Sequence, residues 1–232
     1  MMNFLARIQR PLGIITLLCL GAGIWLVFNA PLDFQQGNSV RILYAHVPSA
    51  KMSLFCYILL TISSIIYLVK KSETADIIAE ATVPVGAAFT AVTLASGSLW
   101  GKPMWGTWWA WDARLTSMLV LLILYMGLMA LRSSLEEPLK AARATAILAI
   151  IGAVDLPIIH YSVVWWRTLH QPPSFGGSSG NPSITGDLLP PLVVMAVAFI
   201  LMGAYMVIVK AREVVALRQL EELDIERMEE ND

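Results

Sequence analysis

The sequence predicts an all-α integral membrane protein with six transmembrane helices. Of its 232 residues, 57% are hydrophobic and only 14% are charged, whereas soluble domains carry about 25% charged residues. Six apolar runs approach the length of about 20 residues that crosses the hydrocarbon core of a bilayer. None of the runs alternates polar and apolar residues as the strands of a membrane barrel do. A helical chain that crosses the membrane six times accounts for all three observations.

The predicted spans follow one another through short connections, so a single six-helix membrane domain is predicted over residues 1–232. The first and fourth spans have 17 residues each and need flanking residues to cross the bilayer. The first span follows a basic start, and no convincing small-residue cleavage site follows it. It is therefore interpreted as an uncleaved anchor. In chain order the spans cover residues 12–28, 47–69, 81–99, 115–131, 144–164 and 188–209.

Basic residues predict the orientation of these spans. Of the sixteen Lys and Arg residues, eleven lie on the side of the two termini and five lie on the other side. The positive-inside rule then places both termini in the cytoplasm. The cytoplasmic side also receives the connections 70–80 and 132–143 and a charged tail, 210–232, predicted to be a solvated helical extension. The external connections are 29–46, 100–114 and 165–187.

Four tryptophans within seven residues form the most unusual feature of the chain: Trp105, Trp108, Trp109 and Trp111. A belt of aromatic residues at the membrane interfaces should mark both sides, but all eight tryptophans fall on the predicted external half. The cluster is therefore interpreted as a surface for a flat, apolar ligand. If the segment is helical, Trp105, Trp108, Trp109 and Asp112 share an arc of about 100°, and Asp112 caps the next span. Pro103 and Gly106 leave a bent segment as the alternative.

Two of the three histidines flank this cluster in the external connections. His46 precedes the second span and His170 follows the fifth, and two imidazoles on opposite faces of a porphyrin can supply both axial nitrogens of a haem iron. The third, His160, lies within the fifth span. We expect it to be a hydrogen-bonded histidine that packs the helix bent by Pro157, where Asp155 accepts hydrogen bonds freed at the bend. The alternative is that His160 is a second haem ligand or a proton carrier.

External cations provide candidate partners for the two propionates of haem. Arg41 and Arg114 are the main candidates because a guanidinium pairs with a carboxylate through two hydrogen bonds. Arg167 and Lys102 are explained equally well as residues that extend toward lipid headgroups. Arg114 has a second interpretation, in which it pairs with Asp112.

Three external motifs, in order along the chain, resemble the CcmC family of haem-handling membrane proteins of cytochrome c biogenesis. The run WGTWWAWDARLT from Trp105 to Thr116 is similar to the WWD signature of these proteins, within the segment 100–116. The entry to the second span, YAHVP from Tyr44 to Pro48, and the exit from the fifth, WWRTLHQ from Trp165 to Gln171, are similar to CcmC in particular.

This resemblance implies the following function. Haem b would be held transiently, as cargo, at the periplasmic face of a bacterial inner membrane, with His46 and His170 as axial ligands. The WWD segment would hold the porphyrin. The haem would be presented to the chaperone CcmE, an ABC transporter formed by CcmA and CcmB would release the loaded chaperone, and the small membrane protein CcmD would assist.

The expected role is haem binding and transfer without bond breaking, because no external nucleophile–base pair or hydrolytic metal site is evident. A haem-lyase-like role in chaperone loading stays open. Apart from these proteins and membrane lipid, no partner is indicated, and no basic block points to nucleic acid. The alternative is an integral b-type cytochrome for electron transfer, whose ligand histidines usually lie within the helices. A small-solute transporter is a third interpretation, and it predicts broken helices around a polar midplane site.

Overall fold

The structure is a computed structural model that describes residues 2–166, 168–170, 184 and 186–229. Every regular element among these residues is helical. In chain order they are α1 (Met2–Asn29), α2 (Val40–Lys70), α3 (Glu73–Trp105), α4 (Ala113–Ser134), α5 (Pro138–Gly152), α6 (Asp155–Trp165) and α7 (Leu189–Glu229), with a single 3-10 turn, Gly186–Leu188, before α7.

Six helical segments are long and apolar enough to cross a membrane, and each contains one of the predicted spans. The prediction of an all-α membrane protein with six spans is thus confirmed at this level. The fifth segment in chain order combines α5 and α6, and the last one joins the 3-10 turn to α7. Each of the other four segments is one continuous α-helix. The segments are Ala6–Asn29, Val40–Lys70, Glu73–Trp105, Ala113–Ser134, Pro138–Trp165 and Gly186–Met228.

Several helices extend beyond their apolar runs, so four of the predicted connections, 29–46, 70–80, 100–114 and 132–143, are shorter than expected. The connection predicted over 70–80 is mostly helical, because Ser72 caps α3 by accepting a hydrogen bond from the backbone of Ala75 at 3.3 Å. Glu73 and Asp76 in the first turn interact favourably with the helix dipole. At the other end of the bundle, α2 begins before His46 and α3 continues to Trp105. An apolar run therefore marks only the part of a helix that faces lipid, and the helix continues beyond the run at one or both ends.

The fifth span is broken at residues 152–154, between α5 and α6. The hydroxyl of Tyr57 lies where a Cβ on Gly152 would be, so the absence of a side chain at Gly152 makes room for the tyrosine. Pro157 lies in the first turn of α6, where its missing N–H leaves no helical hydrogen bond unmade. Asp155 is buried at the break, and its Oδ2 atom has no hydrogen-bond partner among the described residues. The expectation that this oxygen accepts hydrogen bonds freed at the bend is not met.

The core lies between α2, α3, α4 and α7. Tyr125 of α4 is fully buried and donates a hydrogen bond to the carbonyl of Ser53 on α2 at 2.8 Å. Its ring meets that of Tyr57 edge-on at 5.2 Å. The first helix, α1, packs mainly along α7. Packing of α2 on α3 fixes the register of the residues that build the pocket described below.

The charged tail is helical to Glu229, but its first half is not solvated as predicted. Ala211 and Val214 are buried against Ile77 and Ala81 of α3. Further along, Arg218 enters a group of four charged residues, the charge cluster, that joins three helices. The cluster consists of Asp76 and Glu80 on α3, Arg132 on α4 and Arg218 on α7.

Candidate functional site

One pocket contains most of the residues singled out in the sequence. It lies at the end of the bundle where α2 begins and α3 ends, between α2 and α3 on one side and α4 and α6 on the other. Its wall also includes His170 from the segment that follows α6. The lining residues are His46, Val47, Ala50, Lys51, Leu54, Thr93, Leu94, Gly97, Ser98, Trp100, Trp105, Trp109, Arg114, Leu115, Met118, Ile159, His160 and His170.

His46 is held in the second turn of α2 by contacts with α3. Its side chain is buried, and its Nδ1 atom lies 3.1 Å from the Oγ of Ser96. The indole of Trp100 meets the imidazole edge-on, with the ring centroids 5.6 Å apart. Trp100 is fixed in turn by a 3.0 Å hydrogen bond from its Nε1 to Gln36 in the connection after α1. Because Nδ1 is engaged with Ser96, Nε2 is the ring nitrogen that remains for a ligand in the pocket.

His170 faces His46 across the pocket. Their ring centroids are 6.2 Å apart, with an angle of 33° between the ring planes. The indole of Trp105 lies on another side of His170, at a centroid distance of 6.2 Å. The backbone N–H of the preceding residue, Leu169, donates a 3.2 Å hydrogen bond to the Oδ2 of Asp112. His170 is therefore attached to the start of α4 as well as to the end of α6.

The spacing of the two imidazoles fits a shared metal. Nitrogen ligands lie about 2 Å from a transition metal, so two imidazoles on opposite sides of one iron have ring centroids about 6 Å apart. The observed 6.2 Å between His46 and His170 agrees with that value. No group of three or more His, Cys, Asp or Glu that could hold a bare metal ion occurs among the described residues.

The tryptophan segment is not a helix beyond Trp105, which corrects the predicted helical shelf. Gly106 ends α3 in the left-handed region, with φ of 76° and its N–H bonded to the carbonyl of Lys102 at 3.0 Å. Residues 107–112 are irregular. Glycine adopts this conformation at little cost, and it is the usual residue at a helix C-terminus. The bent alternative, which Gly106 already suggested, is the observed one.

This bend divides the four tryptophans into two pairs. Trp105 and Trp109 line the pocket. Trp108 and Trp111 are 53% and 78% exposed and do not belong to the lining. The indole of Trp109 meets Trp111 edge-on at 5.5 Å. The Nε1 of Trp109 is buried without a hydrogen-bond partner among the described residues, although a buried indole N–H usually has one.

Asp112 acts on the backbone around the pocket and is not among its lining residues. As predicted, it caps α4, where its Oδ1 accepts a 2.8 Å hydrogen bond from the backbone of Leu115. Its second oxygen, Oδ2, accepts the hydrogen bond from Leu169. One carboxylate therefore joins the start of α4 to the segment that carries His170.

The predicted cations are found in different places. Arg114 lines the pocket, and its Nη1 donates to the carbonyl of Ile159 at 3.2 Å. Arg41 lies at the corner between α1 and α2, outside the pocket lining, where it donates to the carbonyl of Phe28 at 3.3 Å and lies over the ring of that residue. Lys102 donates to the carbonyl of Gly106 at 3.1 Å. Arg167 lies outside the described residues.

Four pocket features were not predicted from the sequence: Lys51, Gly97, the contact of Ser96 with His46, and the exposure of His160. His160 lines the pocket and is exposed, and its ring meets that of Tyr161 edge-on at a centroid distance of 4.7 Å. It is therefore not the buried, hydrogen-bonded histidine that was expected. Helical periodicity could have found Lys51, because positions 46, 47, 50, 51 and 54 share one face of α2.

The fold and the pocket together define a helical membrane protein whose pocket contains three histidines, two of which, His46 and His170, lie with their rings 6.2 Å apart. The family model CcmC, described as "Heme exporter protein C", matches residues 1–226, and the chain belongs to this family. The resemblance inferred from the three sequence motifs is thereby confirmed.

Individual relatives agree with the family match. The chain is 45% identical over 220 residues to "Heme exporter protein C" of Bradyrhizobium diazoefficiens, which covers 95% of this chain and 83% of the relative. It is 46% identical over 196 residues to the protein of the same name from Escherichia coli K12, covering 84% and 78% of the two chains. A ccmC-like mitochondrial protein of cytochrome c biosynthesis from Marchantia polymorpha is 40% identical over 201 residues, covering 87% and 84%.

Proposed function

We propose that this protein handles haem for cytochrome c biogenesis by binding it in the pocket and presenting it to the chaperone CcmE. The family and the names of the relatives support haem handling as the general role. The single observation that carries the site assignment is the 6.2 Å separation of the His46 and His170 rings. It matches the separation of two axial imidazoles on one iron.

The two histidines would hold haem from opposite faces, with Trp105 and Trp109 beside the porphyrin. A flat, polarisable ring packs well against indoles, and both indoles line the pocket. The unpartnered Nε1 of Trp109 is available to donate a hydrogen bond to bound cargo. Haem b is the form that fits a carrier, because its vinyl groups are still free for later covalent attachment.

Two cations in the pocket, Arg114 and Lys51, match the two propionates of haem. Lys51 lies five residues after His46 on α2, or about 7.5 Å further along the helix axis. Arg114 contacts the carbonyl of Ile159, within α6, well before the end of that helix. Both cations therefore lie on the membrane side of the imidazole pair. Propionates paired with them would direct the vinyl edge of haem toward the open end of the pocket.

That open end provides a surface on which the chaperone could dock. Trp108 and Trp111 are exposed beside the pocket, at the end of the bundle that the distribution of basic residues predicts to lie outside the cytoplasm, which we propose is the periplasmic face of a bacterial inner membrane. We propose that these two indoles contact CcmE while the vinyl edge faces it. Release of the loaded chaperone by the CcmA and CcmB transporter, with CcmD, completes the proposed pathway.

The protein itself is proposed to break no bond. Its pocket residues bind and orient the cargo, since two imidazoles fix the plane of the ring and the cations fix its rotation within that plane. Both iron–nitrogen bonds must be given up at transfer, so binding has to be reversible. A chaperone that supplies its own ligand would replace them.

The test is the haem content and optical spectrum of the purified protein after single histidine substitutions. His46→Ala and His170→Ala should each abolish the spectrum of a six-coordinate, low-spin haem and prevent loading of CcmE. His160→Ala is the matched control, since it removes a third imidazole from the same pocket, and it should retain both. Unchanged spectra for the first two variants would refute the ligand assignment. If such variants also exchanged electrons with quinone, the b-type cytochrome would be the better interpretation.

A further inference from the structure

The hydrogen bonds around Ser96 indicate which nitrogen of His46 carries the proton. The Ser96 hydroxyl donates to the carbonyl of Val92 at 2.6 Å, with the carbonyl of Thr93 also near, at 3.2 Å. A hydroxyl has one hydrogen to donate and two lone pairs that accept. Because its hydrogen is directed to α3, the Oγ of Ser96 can only accept from His46, whose Nδ1 lies 3.1 Å away. This contact assigns the proton of the neutral imidazole to Nδ1.

The Nε2 atom is consequently left with a free lone pair, which is what a metal requires. In the other tautomer Nε2 would carry the hydrogen and could not bind iron. A hydrogen bond at the second nitrogen fixes the ring orientation of a ligand histidine and makes it a stronger donor to the metal.

The space around the imidazole supports the same orientation. A Cβ on Gly97 would lie 3.0 Å from the Cε1 of His46, so a larger residue would displace the ring. Trp100 closes another side of the ring through its edge-on contact. Three residues of α3 surround this imidazole. Ser96 contacts it through its hydroxyl, Gly97 leaves room for it, and Trp100 contacts it through its indole. The surroundings of His46 are thus built by one helix.

We infer that Ser96 is a positioning residue that fixes the tautomer and the orientation of His46, so that Nε2 is presented to the haem iron. This inference rests on the proposed function, because it assumes that His46 is an axial ligand. It assigns to Ser96 a role that its sequence context, a small residue within an apolar span, does not suggest.

The experiment compares haem affinity, the optical spectrum and the midpoint potential of Ser96→Ala with those of the unsubstituted protein. We expect affinity to fall about 10–100-fold, as is typical when the hydrogen-bond partner of a ligand histidine is removed, and the potential to rise because the imidazole donates less electron density. Ser117→Ala is the matched control. Ser117 makes the same kind of hydrogen bond to its own helix, at 2.7 Å to the carbonyl of Ala113, and does not line the pocket.

Two further variants separate positioning from a general structural role. Ser96→Thr retains a hydroxyl and should restore most of the affinity and the original potential. In the His46→Ala background, adding Ser96→Ala should cause no further loss of haem, because both substitutions act through one imidazole.

The outcomes distinguish this inference from the proposed function. If His46→Ala loses haem while Ser96→Ala keeps the original affinity and potential, the positioning role is refuted and the ligand assignment stands. The positioning role would also be refuted if Ser96→Ala lowered haem affinity by the same factor in the unsubstituted protein and in the His46→Ala background. If His46→Ala keeps its haem and spectrum, the proposed function fails at its first step and this inference fails with it.

Discussion

Trp109 and Trp111 are two residues apart in the same irregular segment, but their indoles have different surroundings. Trp109 lines the pocket and has a buried Nε1 with no partner among the described residues. Trp111 is 78% exposed and does not line the pocket. An aromatic contact with a porphyrin would therefore involve the first indole, whereas the second is available to a partner protein.

We expect Trp109→Ala to weaken haem retention about tenfold, since an aromatic pair contributes about 0.5–1.5 kcal/mol beyond the area it buries. Trp111→Ala should leave retention within about twofold and instead reduce chaperone loading. Dissociation of haem from purified protein, followed by absorbance, measures the first effect, and covalent haem on CcmE measures the second. The reverse ranking of the two variants in haem retention would contradict the assignment of these two indoles.

At the level of whole elements, Asp112 joins two parts of the chain through two different oxygens. Its Oδ1 caps α4 and its Oδ2 holds the segment that carries His170. The amide of Asn has one oxygen, so Asn can satisfy only one of these two backbone N–H groups at a time. Ala can satisfy neither.

Asp112→Asn and Asp112→Ala should therefore separate the two roles. The Asn variant should retain most of the stability of α4 and lose haem retention, because His170 is less well held. The Ala variant should in addition lose about 1 kcal/mol of unfolding free energy, as is typical when a helix cap is removed. Thermal unfolding in detergent and haem content measure the two effects. Full haem retention by both variants would show that the contact with Leu169 does not position His170.

The elements also show how far the sequence could predict the fold. Hydropathy located all six spans, because apolar runs mark where a helix faces lipid. It misplaced the ends of α2 and α3, since capping and packing extend a helix past the lipid. The predicted helix after Trp105 was wrong because the left-handed conformation at Gly106 ended it, and a glycine in the sequence allows that conformation without requiring it.

The candidate site was predictable in its chemistry but only partly in its contacts. Histidines and tryptophans near an external rim indicate a metal-containing, flat ligand, and the structure brings His46, His170, Trp105 and Trp109 into one pocket. That they bind haem stays a prediction. The roles of Ser96 and Gly97 were hidden, because they depend on the register of α3 against α2. That register arises from side-chain packing, which no local pattern in the sequence encodes.

At the scale of the whole molecule, the charge cluster holds three helices together at the end opposite the pocket. Arg132 forms two 2.8 Å hydrogen bonds with the carboxylate of Asp76, and Arg218 donates to the same carboxylate at 2.7 Å and to Glu80 at 2.6 Å. Asp76 is the most buried of the four, with 9% of its side chain exposed. Removing it would leave the two guanidinium groups with Glu80 and with Glu73, whose Oε1 lies 3.9 Å from Arg218 and whose side chain is 76% exposed.

We expect Asp76→Ala to lower the free energy of unfolding by about 3 kcal/mol, because breaking a buried ion pair from one side leaves an uncompensated charge. Glu137→Ala is the control, since Glu137 and Lys140 form an ion pair with side chains that are 52% and 73% exposed, and such pairs contribute less than about 1 kcal/mol. Denaturant unfolding in detergent, followed by circular dichroism, measures both. A similar loss for the two variants would indicate that the cluster is no more than a surface contact.

The distribution of the pocket residues along the chain has a consequence for biosynthesis. His46 belongs to the second span and His170 follows the fifth, while α3, α4 and α6 supply the walls between them. Ribosomes make the amino end first, so a growing chain has one imidazole and an incomplete enclosure until five spans have entered the bilayer. If the pocket binds haem as proposed, an unfinished or truncated copy would lack one of the two imidazoles that contact the iron. The order of synthesis would then keep haem out of immature protein.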